Sequence, residues 1–177
     1  CGLGRSDDTV KLVKRSLEFT NIPVVIDADG INALIGSIDL ISKIKAPVIL
    51  TPHPAEMARL CNTTTDVIES NRIKFSKKFA AENNCILVLK GTNTIVASPN
   101  GEIFFNTTGN NGLSKGGSGD VLSGIIVSRL AQGYDPLEAV LNAVWIHGYV
   151  ADQLAKTISM RALLPTDIIE GLKTITD

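Results

Sequence analysis

Residues 110–124 read Asn-Asn-Gly-Leu-Ser-Lys-Gly-Gly-Ser-Gly-Asp-Val-Leu-Ser-Gly, and the apolar run that begins inside this stretch continues to Leu130. The glycines at positions 116, 117 and 119 allow the backbone to turn sharply and to direct several N–H groups toward one point. The apolar run is typical of a helix, and the positive end of a helix dipole favours an anion such as a phosphate. The stretch therefore predicts an anion-binding turn at the start of a helix.

Asp120 lies at the mouth of this predicted anion site, where a bound phosphate would repel its carboxylate. Its position has two interpretations. The side chain could cap the helix, as Ser and Asp commonly do. Alternatively, it could accept the proton of a hydroxyl group that attacks a phosphoryl group. The local sequence leaves both interpretations open.

Composition limits the class of protein. The chain has 177 residues and a formal net charge of -1, and 20% of its residues are charged. This length and apolar content predict one domain with a real core. No basic face points to nucleic acid, and no apolar run reaches membrane-spanning length, so we expect neither partner. The cysteines, Cys1, Cys61 and Cys85, lack Cys-x-x-Cys spacing, which predicts a reduced, cytoplasmic setting without structural zinc.

Short apolar runs alternate with longer amphipathic stretches along the chain. Strands are predicted at Pro23–Ile26, Pro47–Leu50 and Cys85–Leu89, and a hairpin at Thr94–Ser98 and Glu102–Asn106. Helices are predicted at Lys11–Phe19, Ile31–Ile35, Val67–Asn83, Val121–Gln132 and Pro136–Leu154, and a short one from Thr166 or Asp167. A solvated face is predicted for the basic residues Arg72, Lys74, Lys77 and Lys78. The alternation predicts an α/β fold, a largely parallel sheet flanked by helices with one β-hairpin.

Polar segments come at the ends of the predicted strands. We expect each of four segments to follow a strand directly: Asp27-Ala28-Asp29-Gly30, Thr51-Pro52-His53-Pro54, Lys90-Gly91-Thr92 and the glycine loop. Ligands of open α/β sheets bind beyond the carboxyl ends of the strands. The pattern therefore predicts a ligand site at this edge of the sheet.

The same segments, in this order, resemble the ADP/ATP-dependent NAD(P)H-hydrate dehydratase family of the ribokinase-like superfamily. The most specific of them is Thr51-Pro52-His53-Pro54-Ala55-Glu56, and the likeness runs from Gly2-Leu3-Gly4 to Leu164-Pro165-Thr166-Asp167. The resemblance implies a ribokinase-like fold. It also implies dehydration of the hydrated nicotinamide ring of NADHX or NADPHX, with ADP or ATP as co-substrate and Mg²⁺ as cofactor.

The resemblance also implies roles for individual residues. Asp120 would be the catalytic base and would contact the substrate. Further substrate contacts would come from Gly2, Asp29, Asn32 and His53. Nucleotide contacts would come from Lys90, Gly91, Thr92, Asn93 and Thr94, and from Gly117, Ser118 and Gly119. Glu56 would correspond to the carboxylate that organises metal-bound water in ribokinase-like kinases.

Plainer roles remain open for several of these residues. His53 could bond a local carbonyl group, Glu56 could stabilise the first turn of a helix, and Asp29 could cap one. Lys115 could contact a phosphate or point to solvent. We assign His147 to packing or to a satisfied contact in the core.

The family's domain is longer than this chain, and the sequence begins at Cys1 without an initiator methionine. We therefore expect residues 1–177 to form a single domain that lacks its N-terminal part, and we expect a homo-oligomer. Family members often carry a fused epimerase domain. Two alternative functions remain. One is a ribokinase-like kinase for a vitamin precursor or a sugar, which would release a stable phosphorylated product. The other is an inactive nucleotide-binding fragment.

Overall fold

The computed structural model describes residues 1–175, and the chain divides into two compact units, Cys1–Phe105 and the part from Asn106 onward. The first unit carries the strands β1 Val24–Ile26, β2 Val48–Leu50, β3 Ile86–Leu89, β4 Ile95–Ala97 and β5 Ile103–Phe105. Its α-helices are α1 Asp7–Phe19, α2 Asp29–Ala33, α3 Pro54–Leu60, α4 Thr65–Ser70 and α5 Arg72–Glu82. A 3-10 helix spans Ile38–Lys43.

The five strands of the described residues form one sheet in the order β1-β2-β3-β4-β5. β1, β2 and β3 are parallel, with Ile26 opposite Leu50 and Leu50 opposite Leu87. β4 is antiparallel to both β3 and β5. The carboxyl ends of β1, β2 and β3 therefore share one edge, and β5 ends at that edge because it runs parallel to β3.

The core of the first unit is built from the apolar faces of the sheet and of the helices. All residues of β2, β3 and β4 are buried, as expected for strands with continuous β-branched and leucine runs. Ile31, Met57 and Ile68 have no accessible surface and pack in the same cluster from α2, α3 and α4. This core holds the carboxyl ends of the parallel strands in place.

The predicted hairpin is confirmed, whereas the predicted helix at Val67–Asn83 is wrong. β4 and β5 pair around a turn in which the Gly101 N–H donates to the Ser98 carbonyl. The helix is interrupted at Asn71, whose backbone lies at φ -139° and ψ 34° between α4 and α5. The Asn71 side chain donates to the Val67 carbonyl at 3.2 Å, a local bond that competes with helical backbone bonding.

The second unit is helical in the part that the structure describes. It contains α6 Ser118–Ala131, α7 Pro136–Leu154 and α8 Pro165–Gly171, with 3-10 turns at Asn111–Leu113 and Leu172–Thr174. Its core cluster comprises Ile146, Val150, Ala151, Leu163 and Ile168. The expectation that the glycine loop follows a strand directly is wrong. β5 ends at Phe105, and a segment with its own 3-10 turn lies between β5 and α6. Asn110 stabilises that turn, because its side chain accepts a hydrogen bond from the Gly112 N–H.

The start of α7 follows the capping residues of its own sequence. The Asp135 carboxylate accepts hydrogen bonds from the backbone N–H groups of Leu137 and Glu138, and Pro136 is the first residue of α7. α8 begins at Pro165, one residue before the predicted start. None of the helices in residues 1–175 combines the length and the apolar character needed to cross a bilayer.

Candidate active site

A buried ion pair joins the carboxyl ends of β1 and β3. The Lys90 ammonium group lies 2.8 Å from Asp27 Oδ1, and Asp27 is only 7% exposed. The same oxygen accepts the Ala28 N–H at 2.9 Å. The segment that follows β2 contributes as well, because the Pro52 carbonyl accepts the Lys90 N–H. Asp27 was not among the predicted site residues, although the strand-end pattern contained it.

The charge of Asp27 is set by two opposing effects. Burial acts to raise the pKa of its carboxyl group, but the Lys90 ammonium and the hydrogen bonds to the carboxylate outweigh burial and hold the pKa below its ordinary value. Asp27 is therefore a carboxylate at neutral pH. The pair fixes the position of the Lys90 ammonium group.

The predicted substrate residues at the start of α2 are engaged in local contacts. Asp29 does not cap the helix, since the N-cap is Ala28, which has the strained backbone angles φ 49° and ψ -114°. Instead the Asp29 carboxylate accepts the Gly4 N–H at 2.9 Å and lies 3.8 Å from Arg5 Nε. Asp29 therefore anchors the N-terminal glycine turn, in which Gly2 is exposed at φ 69°. Asn32 belongs to the same helix, α2.

The Asn32 side chain accepts a hydrogen bond from Arg59 Nε at 3.1 Å. This contact links α2 with the last turn of α3, so both helices are held at the edge where β1 and β2 end. The amide nitrogen of Asn32 remains a possible donor to a ligand, because only the carbonyl oxygen takes part in the bond.

His53 and Glu56 form a reciprocal cap at the start of α3. His53 Nδ1 accepts the backbone N–H groups of Ala55 and Glu56 at 3.2 and 3.3 Å. Glu56 Oε2 accepts the His53 N–H at 2.9 Å, and Glu56 Oε1 lies 3.4 Å from His53 Nε2. The structure therefore gives Glu56 the helix-stabilising role that the sequence left open. It gives His53 the role of N-cap, and the alternative bond to a local carbonyl group is absent among residues 1–175.

The protonation of His53 follows from this arrangement. Partial burial lowers the pKa of the imidazole most strongly, and the Lys90 and Arg59 charges lower it further, while Glu56 opposes them. Nδ1 must be unprotonated to accept the two N–H groups. His53 is thus neutral at physiological pH, with its side chain 48% exposed and Nε2 as the protonated nitrogen.

Arg72 holds the turn after β3, and the prediction that it belongs to a solvated face is wrong. Its side chain is only 16% exposed, and its guanidinium group donates to the Leu89 carbonyl at 3.2 Å. Arg72 turns inward because it is the first residue of α5, directly after the helix break, whereas Lys74, Lys77 and Lys78 are exposed. The sequence pattern that could have predicted this contact is a glycine after a buried strand together with an arginine at the start of a helix.

The predicted nucleotide segment, residues 90–94, is a tight turn. Gly91 and Asn93 have positive φ angles of 142° and 53°, and the Thr94 hydroxyl donates to the Gly91 carbonyl at 3.0 Å. Thr92 is exposed within it. The structure thus keeps all five residues together at the end of β3.

In the second unit, the glycine loop leads into α6 as predicted. Gly117 is the N-cap with a left-handed backbone at φ 93°, and no side chain caps the helix. Ser118 is the buried first residue of α6, and Gly119 follows it. The Ser118 N–H donates to the Lys115 carbonyl at 3.2 Å. Within residues 1–175 no side chain caps α6, so the Gly119 N–H of the first turn is left for an anion.

Asp120 is exposed in this first turn, and among residues 1–175 no hydrogen bond or ion pair reaches its carboxylate. It does not cap α6, so the capping interpretation is wrong. Lys115, before the glycines, donates to the carbonyl groups of Arg161 and Leu163. Lys115 therefore fixes the loop rather than pointing freely to solvent, and one of its three N–H donors is not used by these two bonds.

Asp120 also lines a cleft of about 500 Å³ in the second unit. Ile125, Ile146 and Ile169 contribute apolar walls from α6, α7 and α8, and Arg129 lines it from the last turn of α6. The exposed carboxylate is thus next to space of ligand size.

Comparison with known proteins identifies the family. A family model described as NAD(P)H-hydrate dehydratase matches residues 1–174. The chain is 40% identical over 171 residues to the bifunctional NAD(P)H-hydrate repair enzyme Nnr of Moorella thermoacetica, covering 97% of this chain and 32% of that protein. It is 44% identical over 167 residues to the ADP-dependent (S)-NAD(P)H-hydrate dehydratase of Neisseria meningitidis, covering 92% and 56%.

Solved structures agree with this assignment. The ADP/ATP-dependent NAD(P)H-hydrate dehydratase of Bacillus subtilis, co-crystallised with ATP and Mg²⁺, superposes with a TM-score of 0.83 at 33% identity, covering 98% of this chain and 62% of that one. A ribokinase-like superfamily protein of Enterococcus faecalis gives 0.81 at 32% identity, covering 98% and 59%. The chain therefore spans between a third and about three fifths of the length of these relatives. These matches confirm the predicted fold and resemblance: the chain belongs to the NAD(P)H-hydrate dehydratase family and has a ribokinase-like fold.

Proposed function

We propose that this protein dehydrates NADHX or NADPHX to NADH or NADPH with consumption of ADP or ATP. The observation that carries the proposal is the exposed Asp120 carboxylate in the first turn of α6, which has no hydrogen-bond or ion-pair partner in the described part of the chain and stands beside the glycine N-cap. A carboxylate in this position can accept a proton while the neighbouring N–H groups stabilise a phosphoryl group. The names of the family members supply the substrate class.

The first step is a phosphoryl transfer. The Asp120 carboxylate accepts the proton of the ring hydroxyl, whose oxygen attacks the terminal phosphorus of the nucleotide. A bond forms between that oxygen and phosphorus, and the bond to the bridging oxygen breaks, which releases ADP from ATP or AMP from ADP. The N–H groups at Gly117 and Gly119 and the positive end of α6 offset the charge on the transferred group, whereas the Ser118 N–H is bonded to the Lys115 carbonyl.

The second step is an elimination. Phosphate is a far better leaving group than hydroxide, so the carbon–oxygen bond breaks as the lone pair of the ring nitrogen shifts toward that carbon. Transfer of a proton from the adjacent carbon to the departing phosphate then restores the dihydropyridine ring. The products are NAD(P)H and inorganic phosphate, and Asp120 releases its proton to solvent to become a carboxylate again.

The first unit offers groups for binding. We propose that the Lys90 ammonium contacts a nucleotide phosphate, since its bond to Asp27 uses only one of three N–H donors. The turn formed by Gly91, Thr92, Asn93 and Thr94 would contact the rest of the nucleotide. The His53 side chain, which is 48% exposed with Nε2 3.4 Å from Glu56 Oε1, and the Asn32 amide nitrogen would contact the hydrated dinucleotide, with Gly2 and Asp29 at the N-terminal turn.

The nucleotide phosphates, rather than Glu56 itself, would be the ligands of Mg²⁺. Glu56 is 5% exposed and both of its oxygens face His53, so direct ligation would break the cap of α3. We propose that the phosphates carry Mg²⁺ and that Glu56 acts on it through water. Bound Mg²⁺ would neutralise phosphate charge during transfer.

We also propose a reduced cytoplasmic setting and a homo-oligomer. Burial raises the pKa of Cys61 to about 11 and that of Cys85 to about 12, so both stay as unreactive thiols at neutral pH. These values fit a protein whose cysteines have no redox role. Sedimentation at several protein concentrations tests the oligomer, and a concentration-independent monomer would contradict it.

The experiment that tests the reaction follows absorbance of the dihydronicotinamide band with NADHX, Mg²⁺ and either ATP or ADP. The Neisseria meningitidis dehydratase serves as a positive control in the same assay. We expect nucleotide-dependent recovery of NADH, with one phosphate released per NADH formed. A stable phosphorylated small molecule without NADH would favour the kinase alternative. Nucleotide binding without any product would favour the inactive fragment.

A further inference from the structure

Arg72 makes contacts that the reaction described above does not use. Its guanidinium group donates to the Leu89 carbonyl at 3.2 Å and lies 3.5 Å from the Lys90 carbonyl oxygen. Its other amino group lies 3.2 Å from Glu69 Oε2, which orients the planar group. Arg72 therefore binds the two carbonyl groups that lead out of β3.

The same side chain occupies the space beside Gly91. A Cβ atom added at Gly91 would lie 2.5 Å from Arg72 Nη1, and Gly91 has a φ of 142° that side chains rarely adopt. Arg72 can therefore point inward only because residue 91 has no side chain. This packing lies at the start of the segment that we assign to the nucleotide.

Peptide geometry shows what this contact does. The C=O and N–H groups of one planar peptide point in opposite directions. Because Arg72 holds the Leu89 carbonyl, the Lys90 N–H is directed the other way, where it donates to the Pro52 carbonyl at 2.9 Å. In the same manner, attraction of the Lys90 carbonyl to Arg72 directs the Gly91 N–H away from α5.

We propose that Arg72 is a positioning residue for nucleotide binding: it fixes the Lys90–Gly91 peptide so that the Gly91 N–H and the Lys90 side chain face the phosphates. This inference rests on the proposed nucleotide role of residues 90–94. Lysine cannot replace arginine here, because one ammonium nitrogen cannot hold Glu69 and the Leu89 carbonyl in the same planar arrangement.

The test is calorimetric titration of MgATP and MgADP into the 177-residue protein and its variants. Arg72→Gln should weaken nucleotide binding about tenfold, since charged hydrogen bonds to the turn are lost. Arg72→Lys should fall between Arg72→Gln and the unchanged protein. Lys74→Gln, an exposed basic residue on the same helix, is the matched control and should stay within about twofold.

Binding stoichiometry separates positioning from folding. A variant that is partly unfolded binds fewer nucleotides per chain with an unchanged dissociation constant, and that result in Arg72→Gln and Arg72→Lys would overturn the proposal. If Arg72→Gln does not fold, Arg72→Lys alone decides. In steady state, the nucleotide KM should rise while kcat and the KM for NADHX change less than about twofold.

The outcomes also separate this inference from the proposed reaction. Nucleotide binding that weakens in Arg72→Gln, in a protein that forms no NADH, would support the inference and contradict the reaction. NADH formation with equal nucleotide affinity in both proteins would contradict the inference alone. A protein that binds no nucleotide would overturn both.

Discussion

The strand-end cluster of the first unit and the start of α6 in the second unit use charged residues in opposite ways. At the strand ends, Lys90 is paired with Asp27, and Glu56 is bonded to His53. At the start of α6, Asp120 has no hydrogen-bond or ion-pair partner within residues 1–175. Paired charges hold loops in place, whereas an unpaired carboxylate is available to a reactant. Substitutions should therefore change stability in the first region and activity in the second.

The largest effect is expected for Asp120→Asn, which removes the proposed base. We expect kcat for NADH formation to fall roughly 10²–10⁴-fold. The free energy of unfolding should change by less than about 0.5 kcal/mol, because the side chain is exposed and makes no hydrogen bond or ion pair with residues 1–175. Assay of dihydronicotinamide absorbance, with urea unfolding beside it, checks both.

Glu138→Gln is the matched control, since Glu138 is an exposed acidic residue in the first turn of α7. It should leave kcat unchanged. An Asp120→Asn protein with kcat within tenfold of the original would contradict the role of base. A large loss of stability would contradict the division between the two regions.

The next effect is expected for Lys90→Met, which removes the ammonium group paired with the buried Asp27 carboxylate. We expect the free energy of unfolding at pH 7 to fall by about 3 kcal/mol. The sign of the pH dependence follows from the pKa. With Lys90 present, the pKa of Asp27 is lowered, so its stabilising contribution is present above the ordinary value of 3.8 and is lost as pH falls below it.

Without Lys90, burial still acts to raise the pKa of Asp27, and only the hydrogen bonds from Ala28 and Thr51 are left to lower it. The deficit of Lys90→Met should therefore shrink as pH falls and the carboxyl group takes up a proton. Urea unfolding at pH 7 and pH 4 measures this. The double variant Asp27→Asn with Lys90→Met should recover part of the lost stability; a deficit equal at both pH values would contradict the ion-pair explanation.

A smaller effect is expected at His53, where substitution separates capping from binding. His53→Ala should lower the free energy of unfolding by about 1 kcal/mol through loss of the cap of α3. His53→Ser should retain the cap and most of that stability. If His53 also contacts the dinucleotide, both variants should show the same rise in the KM for NADHX. Equal stability of the Ala and Ser variants would count against the cap.

His53 also contributes a pH dependence. Its pKa is lowered in the folded protein from 6.5, so the unfolded chain binds more protons in the window between the lowered value and 6.5. Stability should rise with pH across that window. His53→Ser should lack this slope, and thermal unfolding at several pH values measures it.

The smallest effect, with the opposite sign, is expected for Gly124→Ala in α6. A Cβ atom there meets no other atom within 4 Å, and alanine favours helix over glycine. Stability should rise by about 0.5–1 kcal/mol. Gly148→Ala in α7 is the contrasting control, because its Cβ would lie 2.6 Å from the Thr108 carbonyl carbon. Chemical denaturation of both proteins tests the pair, and a destabilised Gly124→Ala would show that this helix face is not open.

Comparison of predicted and observed elements shows which signals are reliable. The hairpin and α7 were predicted closely because turn residues and the Asp135-Pro136 cap act within a few positions. Residues 90–94 stay together for the same reason. The helix at 67–83 was predicted wrongly, because periodicity does not register a side-chain bond at Asn71 that competes with the backbone.

The sequence by itself determined the α/β class, the family, the glycine turn at the start of α6 and the position of Asp120 in it. These depend on residue types and spacings over short stretches. Only the tertiary structure decided that Lys90 pairs with Asp27, 63 positions away, and that Arg72 faces the end of β3. Such pairs form because the parallel strands bring their carboxyl ends to one edge, and a basic residue at a helix start has the same sequence pattern whether it is solvated or buried.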